Sequence, residues 1–279
     1  MIKFHILCDN YSKRRGFLAE HGLSVWIETD DGNILFDTGQ TDVFSWNAET
    51  SGVDLSKVNA LVISHGHYDH TGGVPYFCRL NTLAPIYMHP KAFNERFYMS
   101  DGKTQNRSIG VPWSRDVWKK LSGRINSTVK TKQINSVAVV SPMIPRGVAF
   151  EDVPHYFFVR NENDEISRDL FIDEQILVLK GNKGIYIFVG CSHVGVVNCL
   201  RYAQKLFPGE KIAGLIGGMH MESVPDIRIE LTIQSFLNYR VETIIPLHCT
   251  GMIAICEMKR FLKERCHIFS VGDEIVFER

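Results

Sequence analysis

The sequence predicts an α/β protein built on mixed sheets. Hairpin patterns mark the N-terminal half, strand and helix patterns alternate in the C-terminal half, and both are rich in apolar residues. The chain has 279 residues, of which 44% are hydrophobic and 22% charged, an ordinary balance for a soluble globular protein with a substantial core. One domain, residues 1–279, is expected.

The elements follow in order. Leu23 to Ile27 alternates, Asp30-Asp31-Gly32-Asn33 supplies a turn, and Ile34-Leu35-Phe36 returns, which predicts a hairpin. Ala60 to Ser64 is a buried strand. A second hairpin joins Ile176–Leu179 to Ile185–Val189 through Gly181-Asn182-Lys183-Gly184. Val196, Cys199, Leu200, Ala203 and Leu206 then fall at helical spacing, and 211–216 reads as a strand. A helix marked by Ile229, Ile233, Phe236 and Leu237, a strand at 243–246, and a helix marked by Ala254, Met258, Phe261 and Leu262 complete the alternation. Residues 91–172 break it. They are polar, with short helical patterns at 92–99 and 114–121 and one apolar run at 137–140, and are read as an inserted cap or small subdomain.

Composition narrows the partners. Thirty-one basic and thirty-one acidic residues cancel, so no global field favours nucleic acid or an anionic membrane, and any anion recognition must be local. The seven cysteines form no Cys-x-x-Cys pair and follow no secretory signal, and the apolar start Phe4 to Cys8 is too short for export or a membrane span. A reduced cytoplasm is expected. Cys191 and Cys249 read first as small buried packing residues, with service as thiolate ligands the alternative.

The chemistry concentrates in His65-Gly66-His67-Tyr68-Asp69-His70, which leaves the strand at 60–64 and precedes Thr71-Gly72-Gly73. Three imidazoles and a carboxylate in six residues form a metal-site signature, suited to zinc first and to iron or manganese as well. If the segment is extended, His65, His67 and Asp69 share one face, while a turn at Gly66 or at Gly72-Gly73 re-aims His70. One loop then serves two metal ions.

With this motif the chain resembles the metallo-β-lactamase fold hydrolases, whose first motif is His-x-His-x-Asp-His-x-Gly-Gly or close to it. Asp37-Thr38-Gly39 matches the turn those proteins place before the metal loop. Gly190-Cys191-Ser192-His193 and Pro246-Leu247-His248-Cys249 sit where they carry their third and last metal histidines. Asp9-Asn10, Glu20-His21-Gly22-Leu23-Ser24 and Gly217-Gly218-Met219-His220 narrow the resemblance. They are similar to a subgroup of dihydropteroate-synthase-like proteins, the 7,8-dihydropterin-6-methyl-4-(β-D-ribofuranosyl)aminobenzene-5'-phosphate synthases. The resemblance implies a four-layer αββα sandwich with metals at one edge, between the two sheets.

It also implies a ligand set: His65, His67 and His193 for one ion, and Asp69, His70 and His248 for a second. Asp37 is read as the residue that orients a ligand histidine by hydrogen bonding. Members of the superfamily usually carry an aspartate that bridges both ions, on a strand between the His193 and His248 motifs. This chain has no Gly-Asp there and offers His220, with Glu222 behind it, so one or two ions are expected. His220 is read as a terminal ligand or a substrate-facing acid. Asn10 and His21 are read as lining the pocket. In the 91–172 stretch, Phe93, Phe97, Tyr98, Trp113 and Trp118 among Lys103, Arg107 and Arg115 suit a flat phosphorylated ligand, or the core of a cap.

The implied activity is that of a metal-dependent enzyme on a small phosphorylated or pterin-like substrate, through metal-bound hydroxide or a metal-polarised phosphate. It is hydrolysis of an ester or phosphoester, or a transfer that joins a pterin methylene to an arylamine with loss of pyrophosphate. A catalytically weak sensing or binding member of the fold is the alternative. An iron redox protein fits less well, because flavodiiron proteins place glutamate where this chain has His67 and append a flavodoxin domain for which no residues remain.

Overall fold

The structure, a computed structural model, describes residues 1–100, 103–160 and 163–278, and among these all side chains except those at 100, 103–107 and 278. Two sheets face each other. The first runs, in spatial order, Glu274–Glu278, Ile2–Cys8, Ser24–Thr29, Gly32–Phe36, Val58–Val62, Ile86–Met88 and Ile125–Ser127. Its first four strands are antiparallel neighbours and its last four run parallel. The second runs Ile244–Leu247, Ile212–Gly218, Gly184–Val189, Gln175–Gly181, Ala138–Pro142 and Lys132–Gln133. Its first three strands are parallel and the remainder antiparallel.

Alternation along each strand divides the side chains between three cores. Val25, Ile27, Ile34 and Phe36 point inward to meet Leu177, Leu179, Tyr186 and Phe188 of the other sheet. Between them, Trp26, Leu35 and Leu61 point outward against Phe44 and Ala48 of the helix Val43–Thr50 and against Phe77 of the helix Val74–Leu80. On the far side, Ile176, Val178, Ile185 and Ile187 pack on the helices Val196–Leu206, Asp226–Asn238 and Met252–Leu262. Both faces of both sheets are thus apolar and covered, which makes helix, sheet, sheet, helix the layer order. The expected αββα sandwich is the observed fold.

Both hairpins form as read, with Ile27 opposite Ile34 and Leu179 opposite Tyr186. The three C-terminal helices bury Leu200, Ile233 and Met258, whereas Leu237 and Phe261, counted on the same stripes, are exposed. The helical pattern at 92–99 is a correction. A short 3-10 turn, Pro90–Phe93, is followed by the strand Glu95–Ser100, because Phe97 and Tyr98 pair with Phe158 and Phe157 of a distant strand. Tertiary pairing of β-favouring aromatics overrides the local pattern.

That strand belongs to a third sheet, Ile166–Arg168, Phe157–Arg160, Glu95–Ser100 and Lys103–Ser108, lying over the strand ends that carry the motifs. Residues 91–172 divide: 125–127 extend the first sheet and 132–133 and 138–142 the second, while 95–100, 103–108, 157–160 and 166–168 form the third. Among the described residues no helix is long and apolar enough to cross a membrane.

Candidate metal centre

The strand Val58–Val62 delivers His65 to the sheet edge. His67 keeps an extended backbone, φ −85° and ψ 152°, and then a single helical turn, Tyr68–Thr71, swings Asp69 and His70 inward. That turn, and no glycine, re-aims His70. The glycines serve close packing: a Cβ on Gly66 would lie 2.0 Å from the Ala92 carbonyl oxygen, and one on Gly72 would lie 2.0 Å from that of Gln40. Asp69 consequently leaves the face of His65 and His67 and lies with His21 and His248.

The other motifs arrive on three parallel neighbours. Val189, Gly217 and Pro246 are in register across the second sheet, so the residues beyond them emerge side by side at one edge. Four residues around the site, Asp37 from the first sheet and the other three from the second, hold the left-handed backbone region without being glycine: Asp37 at φ 58°, Ser192 at 58°, His220 at 45° and His248 at 51°. Such backbone costs about 1–2 kcal/mol per residue and persists where surrounding contacts over-determine it.

The side chains converge in two groups. Ligand atoms of His65, His67 and His193 lie within 4.8 Å of one another, as do those of His21, Asp69 and His248. His248 Nε2 is 3.3 Å and His70 Nε2 3.9 Å from Asp69 Oδ2, so the three residues implied for a second ion meet there. Hydrogen bonds set the imidazole tautomers. Asp37 Oδ2 receives His70 Nδ1–H at 2.7 Å, and Asn10 Oδ1 receives His248 Nδ1–H at 2.8 Å. Ser64 Oγ donates its one proton to Asp37 Oδ2 at 2.7 Å, and so accepts from His65 Nδ1 at 3.0 Å. In these three histidines Nε2 is the nitrogen turned toward the other motifs: His65 Nε2 meets His193, His70 Nε2 meets Cys191 Sγ at 3.1 Å, and His248 Nε2 faces Asp69.

These donors fit a cation. His67 Nε2 and His248 Nε2 are buried without a hydrogen-bond partner. His65 Nε2 and His193 Nε2 stand 3.2 Å apart, where two lone pairs repel unless a proton or a cation lies between them. Burial above all, and then neighbouring imidazoles, hold His65 and His193 well below the usual histidine range. For His67 burial likewise prevails, against the field of Asp69. His70 differs: burial opposes its charge, but Asp37 and Asp69 outweigh burial and raise it to about 9. Burial also opposes ionisation of Asp69, yet His70, His21 and His248 hold it well below the carboxylate range.

A cavity of about 600 Å³ opens above this set. Asp69, His67, His193 and His248 form part of its floor, and Tyr98, Tyr156 and Phe157 of the third sheet part of its wall. His220 lies beside His193, ring centroids 4.4 Å apart, with its Nε2 3.3 Å from the Tyr156 hydroxyl.

Other expectations land elsewhere. Asn10 lies behind His248 and outside the cavity lining, whereas His21 is in it, its Nε2 3.1 Å from Asp69 Oδ2. Glu20 faces away and accepts from the backbone of Gln40 and Thr41. Phe93 contacts both Trp113 and Trp118, Phe93 and Trp113 pack against the first sheet's outer core, and only Tyr98 of the five aromatics lines the cavity. Arg115 is exposed on the helix Arg115–Leu121, outside the lining; it joins a core-side element because Val117 and Leu121 pull that helix against the first sheet. The side chains of Lys103 and Arg107 lie outside the described residues.

Sequence reasoning missed the supports behind the ligands. Glu174 accepts the His193 and Val194 N–H groups at 2.8 Å each, and burial raises its carboxyl to about 8. Asp173 Oδ2 accepts Gly66 N–H, and its Oδ1 binds the buried Arg96 guanidinium. No spacing rule marks residues that act through backbone amides. The aromatic run Tyr156-Phe157-Phe158 was a signal in plain sight.

With this geometry in place, known proteins give it a family. A model described as the metallo-beta-lactamase superfamily matches residues 19–203. The uncharacterized protein MJ0448 of Methanocaldococcus jannaschii is 28% identical over 264 residues, 93% of this chain and 94% of its own. The 7,8-dihydropterin-6-methyl-4-(beta-D-ribofuranosyl)-aminobenzene-5'-phosphate synthase of the same organism is also 28% identical, over 99% of this chain and 97% of its own. Tm1679, whose solved structure is that of a metal-dependent hydrolase of the beta-lactamase superfamily, is 30% identical, with a TM-score of 0.83 and 99% of each chain covered. The αββα layers, the His-x-His-x-Asp-His loop at the sheet edge and these likenesses agree: the chain belongs to the metallo-beta-lactamase superfamily.

Proposed function

We propose that this chain is a metal-dependent enzyme acting on a small phosphorylated substrate with a planar ring, as a hydrolase or as a transferase of the pterin type. The observation that carries the reading is the set of bare, buried histidine nitrogens on the floor of the cavity. Its residues would hold one or two divalent ions, zinc foremost and iron or manganese next: His65, His67 and His193 at one position, Asp69, His70 and His248 at the other, with His220 beside the first. Such ions supply Lewis acidity toward a substrate oxygen and acidify water.

The chain's own residues set the rest. Among the described residues the lining holds no lysine or arginine, and the described groups that would meet a phosphate there include the imidazoles of His21, His67, His193, His220 and His248. Tyr98, Tyr156 and Phe157 offer ring faces to a flat heteroaromatic group, consistent with the pterin in the name of the Methanocaldococcus synthase. Asp69, ionised and facing the cavity, would accept a hydrogen bond from the attacking group and orient it. His220, which lines the cavity and meets the Tyr156 hydroxyl, would serve as the donor to a departing oxygen.

The test is a paired assay of the metal-loaded protein. Release of pyrophosphate from a pterin-methyl pyrophosphate only when an arylamine is present supports transfer, and turnover of phosphodiesters without the amine supports hydrolysis. Asp69→Asn is expected to lower kcat/KM about 100-fold or more in whichever holds. A metal-loaded chain inert in both assays overturns the proposal.

A further inference from the structure

The superfamily's bridging aspartate has no counterpart at the end of the strand Ile212–Gly218, where Met219 is buried in the core and His220 turns toward His193. A different side chain stands between the two groups of ligands. Cys191 Sγ is 3.1 Å from His70 Nε2. It also lies within 4.8 Å of ligand atoms of His65, of His193 and His220, and of His248 and Cys249. It is therefore near residues of both ion positions.

Packing holds the sulfur there. Cys191 is 3% exposed, and the preceding Gly190 seats its loop so closely on the metal loop that a Cβ would fall 2.1 Å from Ser64 Oγ. The neighbouring thiol of Cys249 also lies in this group, but its hydrogen bond goes to the Cys191 carbonyl oxygen at 3.6 Å and it falls in a group with His248 and not with His65 or His70. His67 Nε2 and His248 Nε2, buried and unpartnered, belong to residues that line the same cavity as Cys191.

We infer that Cys191, as a thiolate, replaces the missing carboxylate and bridges the two ions. The inference rests on the metal-dependent reading above. On loading, the S–H bond breaks, its proton leaves to solvent, and the sulfur lone pairs become donors; a coordinating thiol is deprotonated outright. No oxidant or reductant is involved. A mixed imidazole, carboxylate and thiolate set is softer than the superfamily's usual one and favours zinc.

Cobalt(II)-loaded full-length protein tests this, since sulfur bound to cobalt gives a thiolate charge-transfer absorption in the near ultraviolet that imidazole and carboxylate do not. The wild-type chain is expected to show the band and to take up two ions. Cys191→Ser should lose the band and weaken the second equivalent about 10-fold or more. Cys249→Ser should keep both, and Cys191→Asp should lose the band and keep two ions. A loaded wild-type chain without the band, a band that survives in Cys191→Ser, or one that vanishes only in Cys249→Ser overturns the bridge alone. A chain that binds no divalent ion overturns the metal-dependent reading with it.

Discussion

Asp37 and Asn10 act on two histidines in the same way. Each takes an Nδ1 proton, from His70 at 2.7 Å and His248 at 2.8 Å, and so makes the far nitrogen the one that faces the site. Outer partners of this kind are worth 10–100-fold in metal affinity. Asn10 is only partly buried, so Asn10→Ala should lower affinity about 10-fold or more with little change in stability; chelator competition and urea unfolding separate the two. Asp37 is fully buried and also accepts from Ser64 N and Oγ at 2.7 Å each. Asp37→Asn should therefore lower affinity and also cost about 1–3 kcal/mol, because one of those donors must face an amide N–H.

At the scale of elements, the site depends on where strands stop and on what receives the chain beyond them. The helix Val196–Leu206 begins directly behind the His193 loop, and buried Glu151 accepts its Val197 and Asn198 N–H groups at 2.8 Å. Burial raises this carboxyl from 4.5 to about 7, against those hydrogen bonds. A carboxyl whose folded pKa is raised contributes stability that is full below about pH 4.5 and is lost as pH climbs through about 7. The loss is on the order of 3 kcal/mol, and Glu174, raised to about 8, adds to it in the same direction. The depressed His65, His67 and His193 act in the opposite direction, so the readout is the difference between proteins: metal-free Glu151→Gln should gain stability in urea at pH 8 relative to pH 5 when compared with the wild type. An unchanged difference between the two pH values in the variant would exclude Glu151 as its source.

At the scale of the whole molecule, the third sheet and the metal loop are one mechanical unit. Arg96, 2% exposed on the strand Glu95–Ser100, binds Asp169 at 2.7 Å, Asp173 at 2.6 Å and the Ala92 carbonyl oxygen at 2.9 Å. Asp173 in turn holds Gly66 N–H at 2.9 Å. The wall of the cavity is thereby tied to its floor through one guanidinium. Removing one partner of such a network leaves buried charge uncompensated, so Arg96→Ala should cost about 3–5 kcal/mol, read by chemical denaturation. The same variant should loosen the metal loop and weaken ion binding, a change that chelator competition detects even where the fold survives.

The layers and the ligands were legible in the sequence because both depend on local order. Period-two apolar runs such as Ile176–Leu179 fix which face meets which core, and His65-Gly66-His67-Tyr68-Asp69-His70 carries its chemistry in six consecutive residues. Its glycines were legible as glycines but not in their purpose, since the atoms they make room for belong to Ala92 and Gln40. The strand Glu95–Ser100 was not legible, because its partner lies about sixty residues away at Phe157–Arg160. Nor was the place of Cys191, whose neighbours His65, His70, His220 and His248 come from four separate strand ends or turns. Sequence by itself determined the fold class and which side chains are fit to hold a metal. Only the tertiary structure decided which stand together, what holds each imidazole in its tautomer, and which sulfur lies between the two groups, because those are properties of distances across sheets that a linear spacing does not contain.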